Sequence, residues 1–274
     1  MNALTRFFQA IRRLETPFYD RLYKTARLIR GVSVPVIPRL HRFLYREWTL
    51  RTSAWHNFWR IVYYEPMFKS MCRQVGPGFR LWYAGNGICR ILGDLRIELG
   101  GNVVMFDNVS LVGLRVFDEP VLRIGENSYI GPQCRFMVAR SISIGRHCLI
   151  GSRTMLMDNA GHPLEADARL APGGGLPPAR SVRDITIGDF CFFGAGCYVY
   201  PGASVGDGVM AKAGAHITGD IPPFSVVAGN PGRVSRLLPI PPAMRAMAGE
   251  DRHAGWLAAR EIFSRANPQV KTAE

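Results

Sequence analysis

Residues 187–222 read IGDFCFFGAGCYVYPGASVGDGVMAKAGAHITGDIP, and this stretch decides the fold. Apolar residues recur in it at every sixth position, which is the period of neither an α-helix nor a simple strand. The residues in this register are Ile187, Phe193, Val199, Val205, Ala211 and Ile217. Such a repeat indicates short units that bury their apolar faces only against neighbouring units.

A second set of small residues follows the register at a fixed offset of four. All of them fit a narrow interior: Cys191, Cys197, Ala203, Val209 and Ala215. Each unit then consists of a short strand and a tight corner, and three units complete one triangular coil. Gly206 and Gly208 suit a corner because glycine tolerates positive φ.

The same register extends towards the N-terminus in three further runs, separated by an insertion around Pro120 and a slip of two residues. Its members are Leu99, Met105, Leu111, Ile124, Ile130, Phe136, Ile144, Ile150 and Leu156. The small inward positions in these runs are Ser128, Cys134, Cys148 and Thr154. So many matches in phase predict one continuous coil rather than isolated strands.

The charge of the chain is concentrated at one end. Of a net +13 over 274 residues, residues 1–80 carry +11, from 15 Lys and Arg against 4 Asp and Glu, and they hold 15 of the 29 aromatic residues. Leu4, Phe8, Ile11, Phe18 and Leu22 share one face of a predicted helix, with Arg6, Arg12, Arg13, Arg21 and Lys24 elsewhere. The sequence therefore predicts a basic, aromatic-rich helical region at 1–80, a repeat region at 81–237 and a C-terminal helical tail at 238–274.

The basic region has two interpretations that both fit its pattern. An amphipathic basic helix can lie on an anionic membrane, and a helix can equally cap the open end of the coil. Nucleic acid is not expected as a partner, because no recognised binding motif accompanies the charge. No apolar run approaches the ~20 residues that span a bilayer, and no secretory signal is evident. We expect a cytoplasmic protein, peripheral at the inner face of the membrane.

The six cysteines are predicted to be structural. Cys134, Cys148, Cys191 and Cys197 occupy small inward positions of the repeat, where a thiol acts as a small hydrophobe. No Cys-x-x-Cys pair or zinc-type Cys/His spacing occurs, so no metal is expected.

A long segment, 157–186, interrupts the repeat and contains the sequence DNAGHPLE at 158–165. A loop of this length projecting from a rigid coil is where function is expected. His162 is the histidine of this loop, and Pro163 restrains its backbone. A neutral imidazole can accept a hydroxyl proton near neutral pH. Nearby groups able to fix its tautomer are Asp158, Asn159 and Glu165, with no basis for choosing among them; His216 is a reserve base.

The in-phase hexapeptides, the GHPL sequence at 161–164 and the ending DIPP to AGNPGRVSR at 220–236 together resemble the hexapeptide-repeat acyltransferases. The branch is similar to the maltose and galactoside O-acetyltransferases and to enzymes that modify bacterial polysaccharides. The resemblance covers about 91–237. It implies a left-handed parallel β-helix, a homotrimer, and an active site that binds acetyl-CoA in a cleft between coils.

Carried onto this chain, the resemblance makes His162 the general base. The pantetheine arm is expected at the backbone of Ala195 and Ala213, and the nucleotide phosphates at Thr218, Arg233 and Arg236. A lysine frequent in the family after the threonine is Gly219 here, which leaves phosphate binding more dependent on the two arginines. An aromatic that is usually Trp in the family is Phe192.

We therefore expect an acetyl-CoA-dependent O-acetyltransferase acting on a sugar hydroxyl of a saccharide or a lipid-linked glycan precursor. A non-catalytic scaffold or membrane adaptor, and an N-acyltransferase acting on an amino sugar, remain the alternatives. The zinc carbonic anhydrases that share the β-helix need two histidines five residues apart, and no such pair exists in the sequence.

Overall fold

The computed structural model describes residues 5, 8–9, 13, 16–31, 33–85, 87–170 and 175–272, with the side chains of 271 and 272 left aside. The chain divides into two compact units, Met1–Trp55 and His56–Glu274. Of the residues named in the predicted amphipathic helix near the N-terminus, Leu4, Arg6, Ile11 and Arg12 lie outside the described residues.

The larger unit is built on three parallel sheets. The first contains, in spatial order, β1 (Gln74–Val75), β4 (Arg96–Leu99), β7 (Val121–Ile124), β10 (Ser141–Ile144), β13 (Ile185–Ile187), β16 (Ser204–Val205) and β19 (Asp220–Ile221). The second contains β2 (Arg80–Trp82), β5 (Val104–Phe106), β8 (Tyr129–Ile130), β11 (Leu149–Ile150), β14 (Phe192–Phe193), β17 (Met210–Ala211), β20 (Ser225–Ala228), β21 (Arg233–Leu237) and β22 (Lys271–Thr272). The third contains β3 (Arg90–Leu92), β6 (Ser110–Gly113), β9 (Arg135–Val138), β12 (Met155–Met157), β15 (Tyr198–Val199) and β18 (His216–Ile217).

Consecutive strands visit the three sheets in turn, so that every three strands form one coil and each strand pairs in parallel with its counterparts in the coils before and after it. The described residues contain six complete coils, β1 to β18, followed by β19 and β20. Strand β21 departs from the rule by running antiparallel to β20. The predicted mainly β fold, a parallel β-helix with helices at both ends, is confirmed.

The six-residue register is the core of the β-helix. Phe193, Val199 and Ile217 have no exposed surface, and Ile187 and Val205 are almost as buried. The small second set is equally buried, including all four cysteines that were predicted to point inward. Alternation along each strand thus separates an apolar interior from the outer faces.

The corners depend on residues with left-handed backbone conformation. Non-glycine residues take this conformation at several of them, among which His147 has φ 55° and Phe190 φ 60°. The two rings stack with centroids 5.1 Å apart, one coil above the other. His147 therefore lies at a corner of the coil.

The N-terminal helices are α1 (Pro17–Gly31), α2 (Pro38–Trp59) and, after a π-helical turn at Arg60–Tyr64, α3 (Glu65–Ser70). Helix α3 caps the first coil: Phe68 is fully buried and stacks on Phe79 with centroids 5.3 Å apart. The buried Glu65 accepts the backbone N–H of Leu81 and pairs with Arg60. A helical cap, one of the two interpretations of the basic region, is thus present within residues 65–70.

The C-terminal helices are α5 (Pro242–Ala248) and α6 (Glu250–Ala266). Trp256 of α6 is buried and packs edge-on against Phe224 of the last coil, with ring centroids 4.7 Å apart. The C-terminal tail therefore covers the last coil. Further along the tail Leu257 and Ile262 are exposed, and Trp256 is the residue of α6 that belongs to this apolar cluster.

Two buried carboxylates of the β-helix, Asp189 and Asp207, form hydrogen bonds with helix α6. Arg252 donates to Asp207 and Asp189, each at 2.8 Å, and the indole N–H of Trp256 donates to Asp207 at 2.6 Å. Burial raises the pKa of Asp189, but the Arg146 backbone N–H and the guanidinium groups of Arg252 and Arg146 outweigh it and hold the pKa below its usual value. The helix is thus held by charge as well as by apolar packing.

No helix within the described residues combines the length and the apolar character that crossing a bilayer requires.

Candidate active site

The segment that interrupts the repeat leaves the end of β12 and returns at β13. Its two ends are joined, because the Arg183 N–H donates to the Asp158 carbonyl at 2.8 Å. Within it lie a short helix, α4 (Ala166–Leu170), and a 3₁₀ turn at Ala179–Ser181. The loop therefore has a fixed base on the coil and some structure of its own.

His162 is exposed near the start of this loop, and the following Pro163 is buried. The Arg169 guanidinium on α4 donates to the carbonyls of Pro163 at 2.9 Å and Leu164 at 2.6 Å. Arg169 thus fixes the backbone directly after His162. Sequence reasoning missed this residue, and only the return of α4 onto the turn reveals its contact.

The three candidates for orienting His162 have other partners in the structure. Asp158 is fully buried and accepts the backbone N–H groups of Ala139, Arg140 and Ser141 at 2.7 to 2.9 Å. It closes the turn one coil below.

Asn159 is also buried, donates to Asp158 at 2.9 Å and accepts the Gly161 N–H at 2.9 Å. Glu165 pairs at the surface with Arg180 at 2.7 Å. Across the described part of the chain no hydrogen bond joins His162 to any of the three. Asp158 and Asn159 instead hold the start of the loop on the coil.

Ala195 and Ala213 lie above one another at a corner between the second and third sheets. The Gly214 N–H donates to the Ala195 carbonyl at 2.9 Å, which joins the two turns. A Cβ at Gly194 would lie 2.5 Å from the Ala213 nitrogen, so only glycine permits this close stacking. Both alanines are exposed.

The remaining predicted ligands meet at the last complete coil. Thr218 follows β18 and is exposed, and the Gly232 N–H donates to the His216 carbonyl at 2.7 Å. This bond brings Arg233, the first residue of β21, beside the end of β18. Arg236 is exposed further along the same strand.

His216 is embedded in an aromatic cluster that the sequence did not disclose. Its Nδ1 lies 2.9 Å from the Tyr200 hydroxyl, and its ring stacks on Tyr198 with centroids 4.7 Å apart. In-register pairing across adjacent coils creates these contacts, since Tyr198 and His216 occupy the same position of β15 and β18. Tyr198 and His216 are eighteen residues apart, which is one full coil of the repeat, and this spacing is the sequence signal that could have predicted the contact.

Within the described residues, His, Cys, Asp and Glu side chains form no group of three that could hold a metal ion. Burial raises the pKa of the Cys134 thiol to about 12 and also raises the pKa of Cys89. These two thiols stay protonated at neutral pH, which supports the predicted structural role for them.

The described geometry thus combines an exposed imidazole on a braced loop, two open backbone turns and two exposed guanidinium groups. Comparison with known proteins defines the class to which this arrangement belongs. The hexapeptide repeat of succinyl-transferase matches at residues 141–173 and 184–218. A protein of Schizosaccharomyces pombe described provisionally as an acetyltransferase is 32% identical over 146 residues, which cover 52% of this chain and 67% of the relative.

A protein of Escherichia coli described provisionally as the lipopolysaccharide biosynthesis O-acetyl transferase WbbJ is 30% identical, over 53% of this chain and 74% of the relative. The chain belongs to the hexapeptide-repeat acyltransferase family. Among solved structures, the N-acyltransferase AntD of Bacillus cereus, in complex with dTDP and 3-hydroxybutyryl-CoA, aligns with a TM-score of 0.50. At 20% identity over 62% of this chain and 85% of that one, it shows a shared fold.

Proposed function

We propose that the protein transfers an acetyl group from acetyl-CoA to a hydroxyl group of a saccharide. The observation that carries the proposal is the loop at 157–186, which interrupts the coil and presents an exposed His162 from a base fixed by Asp158. The relatives support the choice of acceptor, since the E. coli protein above is described as a lipopolysaccharide O-acetyl transferase. A galactoside O-acetyltransferase of the same organism is 30% identical over 41% of this chain and 62% of the relative.

In the proposed reaction His162 accepts the proton of the attacking hydroxyl group. The hydroxyl oxygen forms a bond to the thioester carbon, and the C–S bond then breaks. The CoA sulfur leaves and takes up the proton held by the imidazolium. General base catalysis of this kind contributes about 100-fold to 10,000-fold to the rate.

The cofactor contacts follow the exposed groups of the last coils. The backbone at Ala195 and Ala213 offers unobstructed turns to the pantetheine arm. The hydroxyl of Thr218 and the guanidinium groups of Arg233 and Arg236 suit the nucleotide phosphates, because planar guanidinium groups bind phosphate in a bidentate manner. No hydrogen bond to the His162 side chain is present among the described residues, and we propose that its tautomer is set when the acceptor binds.

We further propose a homotrimer. The outer face of the second sheet carries an apolar stripe on adjacent strands, in which Leu149 pairs with Phe192 and Phe192 with Met210. These side chains are 38 to 42% exposed. Burying such a stripe against other copies removes apolar surface from water.

The catalytic assignment is tested by His162→Asn, with CoA release and KM for acetyl-CoA as readouts. We expect turnover to fall by at least about 100-fold because the general base is lost. The KM for acetyl-CoA should stay within about twofold, since no cofactor contact is removed.

Arg233→Gln is the companion variant. It should raise the KM for acetyl-CoA more than it lowers turnover, because it removes a phosphate contact and leaves the imidazole in place. Full turnover in His162→Asn would show that another residue acts as the general base. His216→Asn would then be the next variant to measure.

Helix α2 supports a peripheral contact with an anionic membrane. The helical period places Leu40, Leu44 and Trp48 on one face of α2, and Arg42 and Arg46 on the other. None of the residues of α2 is buried. The three apolar side chains are 46 to 54% exposed. An interfacial helix places such a face in the acyl boundary and its cations near lipid phosphates.

Flotation of the full chain with liposomes tests the membrane contact. We expect binding to phosphatidylglycerol-containing vesicles and little binding to pure phosphatidylcholine, at about 1 kcal/mol for each cation near the surface. Arg42→Gln with Arg46→Gln should weaken binding, whereas Arg245→Gln with Arg265→Gln, an equal loss of charge on the C-terminal helices, should not. Equal weakening by both pairs, or no binding to either vesicle, would refute the proposal.

A further inference from the structure

The outer face of the third sheet carries a continuous ladder of side chains. Register pairing places one residue from each strand of the sheet in line, and the residue after each one points into the core. We call this line the third-sheet ladder; it consists of Arg90, Ser110, Arg135, Met155, Tyr198 and His216. It contains no carboxylate.

The early part of the ladder is cationic and lacks anionic partners. Arg90 and Arg135 are exposed, and so is Arg153 at the corner just before β12. Among the described residues none of these three arginines forms an ion pair; the Arg153 side chain donates to the uncharged Gln133 side chain at 3.0 Å. A guanidinium group held in this way is directed outward and remains available to an anion.

Arginines on the outer face of the first sheet, by contrast, form ion pairs. Arg96 and Arg123 both pair with Glu98, at 2.5 Å and 2.9 Å. These three arginines therefore differ from Arg96 and Arg123, whose guanidinium groups already have a carboxylate partner.

The later part of the ladder is a flat aromatic surface. Tyr198 is 38% exposed and stacks on His216 at an angle of 24°, and the Tyr200 hydroxyl holds the imidazole from the neighbouring column. Aromatic faces pack well against the C–H face of a pyranose ring, while the phenol hydroxyl supplies a polar handle.

The two parts are close enough for one ligand. Arg135 pairs with Met155 and Met155 with Tyr198, so two strand spacings of about 4.8 Å, or roughly 10 Å, separate cation from aromatic ring. That distance matches a sugar ring with an attached anionic group. Ala195 lies at the corner three residues before Tyr198, and the His162 loop begins at the end of β12 in the same sheet.

We propose that the acceptor is an anionic saccharide that lies along the third-sheet ladder. Its ring stacks on Tyr198 and His216, and its carboxylate or phosphate pairs with Arg135 and Arg153. This inference rests on the proposed transfer to a saccharide and adds the charge class of the acceptor. Carboxylate and phosphate share the chemistry that guanidinium groups recognise, so experiment must separate them.

Direct binding without acetyl-CoA tests this inference separately from catalysis. Glucose, glucuronate and glucose 1-phosphate are titrated into the full chain at 150 mM NaCl, and binding is followed by ligand-observed NMR. We expect the preferred anionic sugar to bind about tenfold more tightly than glucose, because a charge-assisted contact is added. Whichever of glucuronate and glucose 1-phosphate binds more tightly shows whether the charged group of the acceptor is a carboxylate or a phosphate.

Substitutions assign the two parts of the site. Arg135→Gln with Arg153→Gln should remove the advantage of the anionic sugar. Arg80→Gln should preserve it, because Arg80 is likewise exposed and has no ion pair within the described residues, but lies on the second sheet. Tyr198→Ala should weaken all three sugars by a similar factor.

Equal binding of glucose and both anionic sugars, no binding of any sugar at millimolar concentration, or an equal loss in Arg80→Gln would each overturn the inference. Failure of the proposed function is seen differently, as absence of CoA release from acetyl-CoA with every acceptor while sugar binding is retained. If neutral acceptors support CoA release as well as anionic ones do, the proposed transferase activity is retained and the inference of an anionic acceptor is refuted.

Discussion

At the scale of single residues, the stability of a β-helix depends on side chains that are buried between successive coils. Leu156 and Leu164 lie close in sequence but in opposite environments: the first has no exposed surface and the second is 85% exposed. The first belongs to the repeat and the second to the loop. This pair permits a direct measurement of what the register contributes.

We expect Leu156→Ala to lower the free energy of unfolding by about 2 to 5 kcal/mol, because the coil retains a cavity. Leu164→Ala should change it by less than about 0.5 kcal/mol, as a surface substitution does. Urea denaturation followed by circular dichroism measures both. Similar effects of the two substitutions would show that the interior at Leu156 is not tightly packed.

At the scale of elements, helix α6 joins the β-helix through a salt-bridge cluster. Arg252 lies between Asp189 and Asp207, whose side chains are 10 to 11% exposed. Removing the guanidinium group leaves the buried Asp207 without a cation, while Asp189 keeps only Arg146, at 3.1 Å. The docking of the helix is therefore an electrostatic property as well as a hydrophobic one.

We expect Arg252→Ala to lower the free energy of unfolding at pH 7 by about 2 kcal/mol. The surface-paired Arg265→Ala is the control and should cost less than about 0.5 kcal/mol. Urea unfolding of the full chain measures both variants. Equal losses would mean that the buried cluster contributes no more than a surface pair.

The effect of pH on this cluster follows from the lowered pKa of Asp189. Its contribution is complete above the unfolded-state value of about 3.9 and is lost as pH falls through the lower folded value. The gap between the parent protein and Arg252→Ala should therefore narrow below about pH 4. A gap that stays constant down to pH 3 would contradict this assignment.

At the scale of the whole molecule, the three outer faces of the β-helix differ in chemistry. The first sheet presents Ser143, Thr186 and Ser204 in line, whereas the second presents Leu149, Phe192 and Met210. Thr186 and Phe192 belong to the same coil and are both exposed, which makes them a matched pair for testing the proposed trimer.

We expect the protein to sediment as three chains and Phe192→Glu to dissociate it, because a carboxylate would be buried in an apolar contact. Thr186→Glu should remain trimeric. Sedimentation velocity with multi-angle light scattering distinguishes these states. A monomeric parent protein, or a trimer that survives Phe192→Glu, would exclude the second sheet as the contact surface.

The sequence by itself determined the coil. The six-residue register placed Ile187 to Ile217 inside because burial depends only on the local period, and the small thiols followed from the narrow interior. The interruption at 157–186 and His162 were also readable, because a loop that breaks a strict repeat is visible without coordinates.

Only the tertiary structure decided which side chains meet across coils and between distant elements. Asp207 lies between Gly206 and Gly208, which the sequence predicted at a corner, but its hydrogen bond to Trp256 depends on a helix 49 residues away. The cluster of Tyr198, Tyr200 and His216 likewise requires the register between strands. Asp158, named as a partner of His162, instead binds three backbone N–H groups of the coil below. Such contacts depend on how the chain stacks, which a local period does not specify.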